Sequence, residues 1–136
     1  DLIGERTLVL DCDVLQTDGG TRVAAITGGY LALALALTPR IAAGDLPAEA
    51  LKPPIAAVSV GIVQGQPLLD LNYTEDSQAD VDLNVVMNEA GQFVEIQGTA
   101  EHAPFSKTEL EAMLGLAENG LNQIIALQKD FLQDYL

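Results

Sequence analysis

The first forty residues alternate hydrophobic and polar positions and then become almost entirely apolar. In residues 5–14 (ERTLVLDCDV), apolar side chains occupy every second position, namely Leu8, Leu10, Cys12 and Val14. This period of two predicts a half-buried strand. The stretch Val23–Pro39 has no charged residue and is rich in alanine. It predicts a helix buried on most of its surface.

A membrane span is not favoured for this apolar stretch. Crossing a bilayer takes roughly 20 strongly apolar residues, whereas this stretch is shorter, contains Thr27, Gly28 and Gly29, and stops at a proline. The preceding residues 17–21 (TDGGT) are typical of a turn, with Asp18 or Thr21 as the helix N-cap. The order is therefore strand, glycine-rich connection and helix.

Residues 55–98 predict four strands in two hairpins. The runs Ile55–Val63 and Pro67–Tyr73 are rich in β-branched and apolar residues and flank a glycine-containing turn. The runs Asp82–Asn88 and Phe93–Gly98 flank a second turn at residues 89–92. Two adjacent hairpins predict an antiparallel or mixed four-stranded sheet.

The last thirty residues predict helix. Ser106 with Glu109 three positions later is typical of a capping box. An apolar face follows and is interrupted at Asn119-Gly120, after which a second, largely amphipathic helix continues to the C-terminus. Its apolar positions are Leu121, Ile124, Ile125, Leu127, Leu132 and Leu136.

These elements predict an α+β fold: the four-stranded sheet, C-terminal helices, and a strand-loop-helix unit before them. Between residues 39 and 54 the composition changes to proline, alanine, glycine and mixed charge, which is typical of a connector. We therefore expect one unit at residues 1–50 and another at residues 51–136.

Composition and charge narrow the function. The chain has 136 residues, 49% hydrophobic and 19% charged, which excludes disorder. Twenty Asp and Glu face six Lys and Arg, for a formal charge of -14. Such a surface repels polyanions and makes nucleic acid an unexpected partner. The single cysteine, Cys12, forms no internal disulfide, which favours the cytoplasm. Because the chain begins at Asp1 rather than Met, we expect a piece of a longer protein.

The segment Asp18–Arg22 has the chemistry of an anion site. Glycines permit close backbone approach, the N–H groups at a helix start favour negative charge, Thr21 donates a hydroxyl hydrogen bond, and Arg22 supplies a cationic fork. A plain loop and helix cap is the alternative, since a Gly-Gly turn before a helix is common and the lysine of a P-loop is absent.

An acidic run is the second candidate. Its five carboxylates are Asp70, Glu75, Asp76, Asp80 and Asp82, with no basic residue among them. Hard oxygen ligands of this kind suit Mg²⁺ or Mn²⁺. In an extended strand the even-numbered residues at 80, 82 and 84 share one face. The alternative is a solvated acidic loop.

His102 and Cys12 are weaker candidates. A single histidine can act as a general base, but a surface histidine is the more common situation. Cys12, on the apolar face of its strand, is most simply a small core residue. Nothing in the sequence indicates a Ser/His/Asp triad, a zinc site or a dinucleotide fingerprint.

Four stretches resemble the C-terminal part of the ribonuclease PH family of phosphate-dependent exoribonucleases. They are, in order, LDCDVLQTDGGTR from Leu10, AAVSVGIV from Ala56, DLNYTEDSQADVDLNVVMN from Asp70 and FVEIQGTAEHAPFS from Phe93. Together they cover most of the chain. The resemblance implies an incomplete fold of the ribosomal protein S5 domain 2-like type, with an N-terminal half of comparable size missing.

The resemblance also implies roles for individual residues. Gly20, Thr21 and Arg22 match the phosphate-binding segment, and Asp76 and Asp82 match two acidic residues that serve catalysis and divalent-metal binding. Asp80 is a weaker metal candidate. His102 stands where the family usually has a glycine.

The implied activity is phosphorolysis, in which inorganic phosphate removes nucleotides as nucleoside diphosphates from the 3′ ends of tRNA precursors. The implied cofactor is Mg²⁺ or Mn²⁺, and the implied assembly is a hexameric ring. Because the RNA-contacting arginines belong to the missing half, we expect this piece alone to bind RNA poorly and to be inactive.

Two other functions remain open. One is a structural module, or a non-catalytic ring subunit of an exosome-like complex, suggested by the acidic charge and by surfaces where a missing half would pack. The other is a small phosphate-binding protein without nuclease activity.

Overall fold

Four strands form one antiparallel sheet in the computed structural model, which describes residues 2–133 and 135. The strands are β1 (Ile55–Val63), β2 (Gln66–Leu69), β3 (Val81–Asn88) and β4 (Phe93–Ala100), in the order β2-β1-β3-β4. All three neighbouring pairs are antiparallel. The predicted hairpins and the α+β class are confirmed, although β2 ends at Leu69, short of the predicted Tyr73.

A long helix, α3 (Lys107–Gln133), covers one face of the sheet. The main core lies between them. Its buried members are Ala56, Val58, Val60 and Ile62 of β1, Val81, Leu83, Val85 and Met87 of β3, and Met113, Ala117, Leu121 and Ile125 of α3. The alternation along β1 and β3 follows from the two-residue period of a strand.

Helix α3 confirms the capping box and corrects the predicted break. The Ser106 hydroxyl accepts from the Glu109 backbone N–H at 3.3 Å, and the Glu109 carboxylate accepts from the Ser106 N–H at 2.7 Å. The helix runs unbroken through Asn119-Gly120. A Cβ at Gly120 would stand 3.0 Å from Leu69 Cδ2, so this glycine permits close packing of α3 on β2 instead of ending the helix.

The other face of the sheet carries helix α1 (Thr21–Ala42). Its buried residues are Val23, Tyr30, Ala34 and Leu37. Val23 packs against Ala57 and Val86. By length and composition α1 is apolar enough to cross a membrane, with mean hydropathy 1.3. The prediction of a helix buried on most of its surface is wrong, because only one side of α1 meets the sheet.

The predicted strand at residues 5–14 is also absent. These residues form no ladder, and their side chains are exposed, including Leu8, Leu10 and Val14. A strand needs a neighbour for its backbone hydrogen bonds, and none of the four strands pairs with this segment. Cys12 is exposed and not a core residue.

The C-terminal apolar positions are only partly in the core. Leu121, Ile125 and Leu132 are buried, whereas Leu127 is 67% exposed. Leu136 lies outside the described residues.

Candidate functional site

The glycine-rich loop ends in a left-handed residue that begins α1. Gly20 is the N-cap, with φ 63°, and no side chain caps the helix. Asp18 and Thr21 were predicted as caps, but neither caps α1, and each makes a different hydrogen bond. A non-glycine residue at position 20 would be strained at this φ. Because glycine has no side chain, the first N–H groups of α1 have no side-chain cap.

Thr21 and the residues before α1 line a cavity of about 460 Å³. The Thr21 hydroxyl hydrogen-bonds the Thr17 hydroxyl across the loop. The cavity wall consists of residues 12–19 together with Thr21, Ala24 and Ala25. The cavity therefore opens beside the helix start, where an anion is favoured by the helix dipole.

The loop is tied to the acidic segment by two contacts. Asp18 Oδ1 accepts a hydrogen bond from the Tyr73 N–H at 2.8 Å. A Cβ at Gly19 would stand only 2.0 Å from the carbonyl oxygen of Leu71, so the two backbones touch there. Leu71 is 2% exposed, and its Cδ1 lies 2.6 Å from a Cβ built on Gly61.

Gly61 is in turn the register partner of Asp82. The glycine loop, Leu71, β1 and the acidic residue of β3 therefore form one continuous stack. Two glycines make this stack possible, because a side chain at either position would clash with backbone atoms.

Asp76 is the last residue of a short helix, α2 (Tyr73–Asp76). Asn72 caps this helix. Its side chain accepts from the Glu75 N–H, and the Glu75 carboxylate accepts from the Asn72 N–H, both at 3.0 Å. Glu75 thus has a structural role, and the helix geometry sets where Asp76 stands.

Asp76 and Asp82 line the same cavity of about 350 Å³. The other lining residues are Ser77, Ala79, Glu101 and His102. Burial raises the pKa of Asp82, and the neighbouring charges of Asp76 and Glu101 raise it further, against a lowering by the Leu83 backbone N–H. The structure thus brings together the two acids that the resemblance singled out.

Asp80 does not line this cavity. Its backbone is used instead: its N–H donates to the Ile62 carbonyl at 2.8 Å, and its carbonyl accepts from the N–H groups of Glu101 and His102. Asp80 therefore fixes the junction between β1, β3 and the end of β4.

Within residues 2–133 and 135, no group of three or more acidic, histidine or cysteine side chains has the geometry of a metal site. The two carboxylates nevertheless suit a Mg²⁺ or Mn²⁺ ion that is also bound by the substrate. Mg²⁺ is commonly held by one or two carboxylates together with substrate phosphates, and Asp76 and Asp82 supply two. Burial is the main cause of the raised pKa of Asp82, and the repulsion from Asp76 and Glu101 that adds to it is what a cation would relieve.

The Arg22 side chain reaches from the first turn of α1 to strand β4. Its Nη2 donates to Glu95 Oε2 at 2.8 Å, forming an ion pair. The pairing raises the pKa of Arg22 and lowers that of Glu95.

Sequence reasoning missed both Glu95 and Glu101. The signal was the alternation along β4, since Glu95, Gln97 and Thr99 face the same way as Val86, Asn84 and Asp82. That pattern becomes readable only once the register between β3 and β4 is known.

Comparison with known proteins gives a family and a fold. A family described as 3′ exoribonuclease family, domain 2, matches residues 53–120. A protein named ribonuclease PH from Moorella thermoacetica is 59% identical over 133 residues, which are 98% of this chain and 53% of that protein. Another, from Corynebacterium efficiens, is 56% identical over 127 residues, which are 93% of this chain and 52% of that protein.

The chain thus spans about half the length of the curated relatives it matches. The crystal structure of rice (Oryza sativa) Rrp46 resembles it with a TM-score of 0.65 at 18% identity, covering 88% of this chain and 51% of that chain. At such low identity the likeness concerns the fold alone, and it agrees with the α+β architecture described above.

Proposed function

The chain belongs to the 3′ exoribonuclease family, and we propose that the protein containing it is a phosphate-dependent 3′-to-5′ exoribonuclease. Its substrates are inorganic phosphate and the 3′ ends of tRNA precursors, and its products are nucleoside diphosphates and a shortened RNA. The identity to two proteins named ribonuclease PH supports this assignment.

The observation that carries the proposal is the stack joining the glycine loop to the acidic cavity. Asp18 bonds to Tyr73, Gly19 touches Leu71, and Leu71 covers Gly61 beside Asp82. Phosphorolysis needs two anions, the attacking phosphate and the RNA phosphodiester, held next to each other. A cationic anion site fixed against an acidic site is suited to that task.

In the proposed reaction an oxygen of inorganic phosphate attacks the terminal phosphorus of the RNA, and the bond from that phosphorus to the 3′ oxygen of the preceding nucleotide breaks. The α1 N-terminus, Thr21 and Arg22 hold the attacking phosphate, and Gly20 gives it access to the backbone. The departing 3′ oxygen takes up a proton. The attacking monohydrogen phosphate gives up the proton that the 3′ oxygen receives, so Asp82 stays ionised and available to a cation.

Asp76 and Asp82 would hold Mg²⁺ or Mn²⁺, which when bound supplies positive charge against the substrate phosphates. That charge offsets repulsion between the acids and the RNA end.

Binding of the RNA backbone requires more cations than this chain supplies. Within the described part, four of the six Lys and Arg side chains form ion pairs with carboxylates. We place the RNA-binding cations in the remainder of the protein, and we propose a hexameric ring in the cytoplasm as the working form.

The test is phosphate-dependent release of nucleoside diphosphates from a short RNA by the full natural protein. Asp82→Ala should abolish release while light scattering shows an unchanged assembly. Arg22→Ala should raise the KM for phosphate by about tenfold or more, because a charge-assisted bidentate contact is lost. Full activity of Asp82→Ala would contradict the assignment.

An assembly module is the second candidate, and one observation favours it. Strand β4 is an edge strand with exposed apolar residues, namely Phe93, Val94 and Ile96. Such edges pair readily with other chains. If the Asp82→Ala protein assembles normally and the unaltered protein releases no nucleoside diphosphate, the protein is an assembly module and the proposed activity is wrong.

A further inference from the structure

Arg22 is the proposed phosphate ligand, and among the described residues its side chain hydrogen-bonds only to Glu95. Nη2 of Arg22 and Oε2 of Glu95 are 2.8 Å apart. The contact joins the first turn of α1 to strand β4, across 73 positions of sequence. No local sequence pattern links the two residues, so the contact is a product of the fold.

Glu95 stands at this point because of an irregularity in the sheet. It pairs with Val86, while the next pair is Met87 with Phe93, so Val94 is an extra residue in β4. A β-bulge of this kind bends a strand and re-aims neighbouring side chains. Glu95 also lies on the same face of the sheet as Asp82, which is four register pairs farther along β3.

The single contact leaves most of the guanidinium available. Arginine has five N–H donors in a planar fork, and Glu95 takes only one amino group. The Arg22 side chain is 51% exposed. Resting on the proposed function, we propose that Glu95 is a positioning residue that orients the Arg22 guanidinium for inorganic phosphate.

Two opposing effects act on phosphate binding. A carboxylate that already restrains the long Arg22 side chain reduces the freedom lost when phosphate binds. The same carboxylate weakens the attraction of Arg22 for an anion. Because both side chains are in contact with water, solvent and salt screen the negative charge of Glu95. They do not remove the restraint that Glu95 places on the Arg22 side chain.

The test uses steady-state kinetics of the full natural protein with inorganic phosphate as the varied substrate. Glu95→Ala should raise the KM for phosphate about threefold to fivefold, the upper part of the range for an exposed ion pair. The kcat and the KM for RNA should stay unchanged. Glu95→Gln keeps an acceptor for Arg22 and should give a smaller rise.

Glu89→Gln is the matched control. Glu89 lies in the turn after β3, where it pairs with Lys129 of α3, and it lines none of the site. Its substitution should leave the KM for phosphate, the KM for RNA and kcat unchanged. A merely structural role of Glu95 would change kcat or both KM values together.

Substitutions in pairs separate the inference from the proposed function. In an Arg22→Ala background, Glu95→Ala should have no further effect on the KM for phosphate. An unchanged or lowered KM in the Glu95→Ala protein, or an equal rise in the Arg22→Ala background, overturns the positioning role. If Arg22→Ala alone leaves the KM for phosphate unchanged, the phosphate site itself is wrong.

Discussion

Asp82 is the acid proposed to serve the reaction, and its buried charge opposes folding. Its pKa is raised by burial and by the charges of Asp76 and Glu101, so the folded protein binds its proton more tightly than the unfolded chain does. Asp82 therefore favours folding below its ordinary pKa of 3.8, and this contribution is lost as the pH rises through the raised value.

Asp82→Asn should accordingly raise the melting temperature at pH 7 and lower activity by about 100-fold or more. The gain in stability should shrink as the pH falls through the raised pKa of Asp82, and it should be gone well below 3.8, where the unaltered carboxyl is protonated in both states. Thermal melts with a chelator present, across this pH range, make the measurement. A lower melting temperature at pH 7 would show that the charge of Asp82 is compensated in the fold.

Gln128 is the buried polar residue that joins three elements. It is 2% exposed, and its Nε2 donates to the carbonyls of Thr27 in α1 and Ile55 in β1, each at 3.1 Å. Gln128→Ala should lower the free energy of unfolding by about 1–3 kcal/mol, because two partly buried carbonyls lose a donor. Denaturant unfolding tests this, with the exposed Gln123→Ala in the same helix as control. Equal effects of the two variants would contradict the bridging role.

At the scale of elements, helix α3 contains two glycines in different surroundings. A Cβ at Gly115 would meet no atom within 4 Å, whereas one at Gly120 would lie 3.0 Å from Leu69. Gly115→Ala should therefore stabilise the protein by about 0.5–1 kcal/mol through helix propensity. Gly120→Ala should forfeit that gain, because α3 packs on β2 there. Chemical denaturation of both variants tests the difference, and an equal gain would show that Leu69 yields without cost.

The sequence predicts correctly those features that depend on residues close together in the chain. The β3–β4 hairpin and the Ser106–Glu109 cap were predicted correctly, since turn and cap chemistry act over a few residues. The glycine loop and the acids Asp76 and Asp82 were predicted as site residues from their chemistry and from the resemblance, and these roles stay predictions. Their connection through Leu71 and Gly61 was not predicted, because it depends on a close approach between segments about fifty residues apart in the chain.

The predicted strand at residues 5–14 failed for a different reason. Its alternation is real, but alternation reports which side chains seek burial, not whether a partner strand is present. Leu8 and Val9 are 43% and 83% exposed. The pattern is that of a strand without a neighbour, in a chain that spans about half the length of its curated relatives.

At the scale of the whole molecule, the charge of -14 opposes RNA binding by this part alone. Affinity for nucleic acid comes mainly from cations that neutralise phosphates. Arg22, Arg40, Lys107 and Lys129 are each paired with a carboxylate. Arg6 and Lys52 form no ion pair with an acidic side chain of residues 2–133. Two cations are too few to track an RNA backbone past twenty acidic residues.

The isolated 136-residue chain should therefore bind a short labelled RNA at least about tenfold more weakly than the full natural protein does, and its weak binding should depend little on salt. It should release no nucleoside diphosphate in the presence of phosphate. Fluorescence anisotropy between about 50 and 200 mM salt measures the first property, with the full protein as control. Since the salt slope reports how many phosphates are neutralised, a steep slope for the isolated chain would reveal phosphate contacts within it. That result would place the RNA-binding surface in this part of the protein.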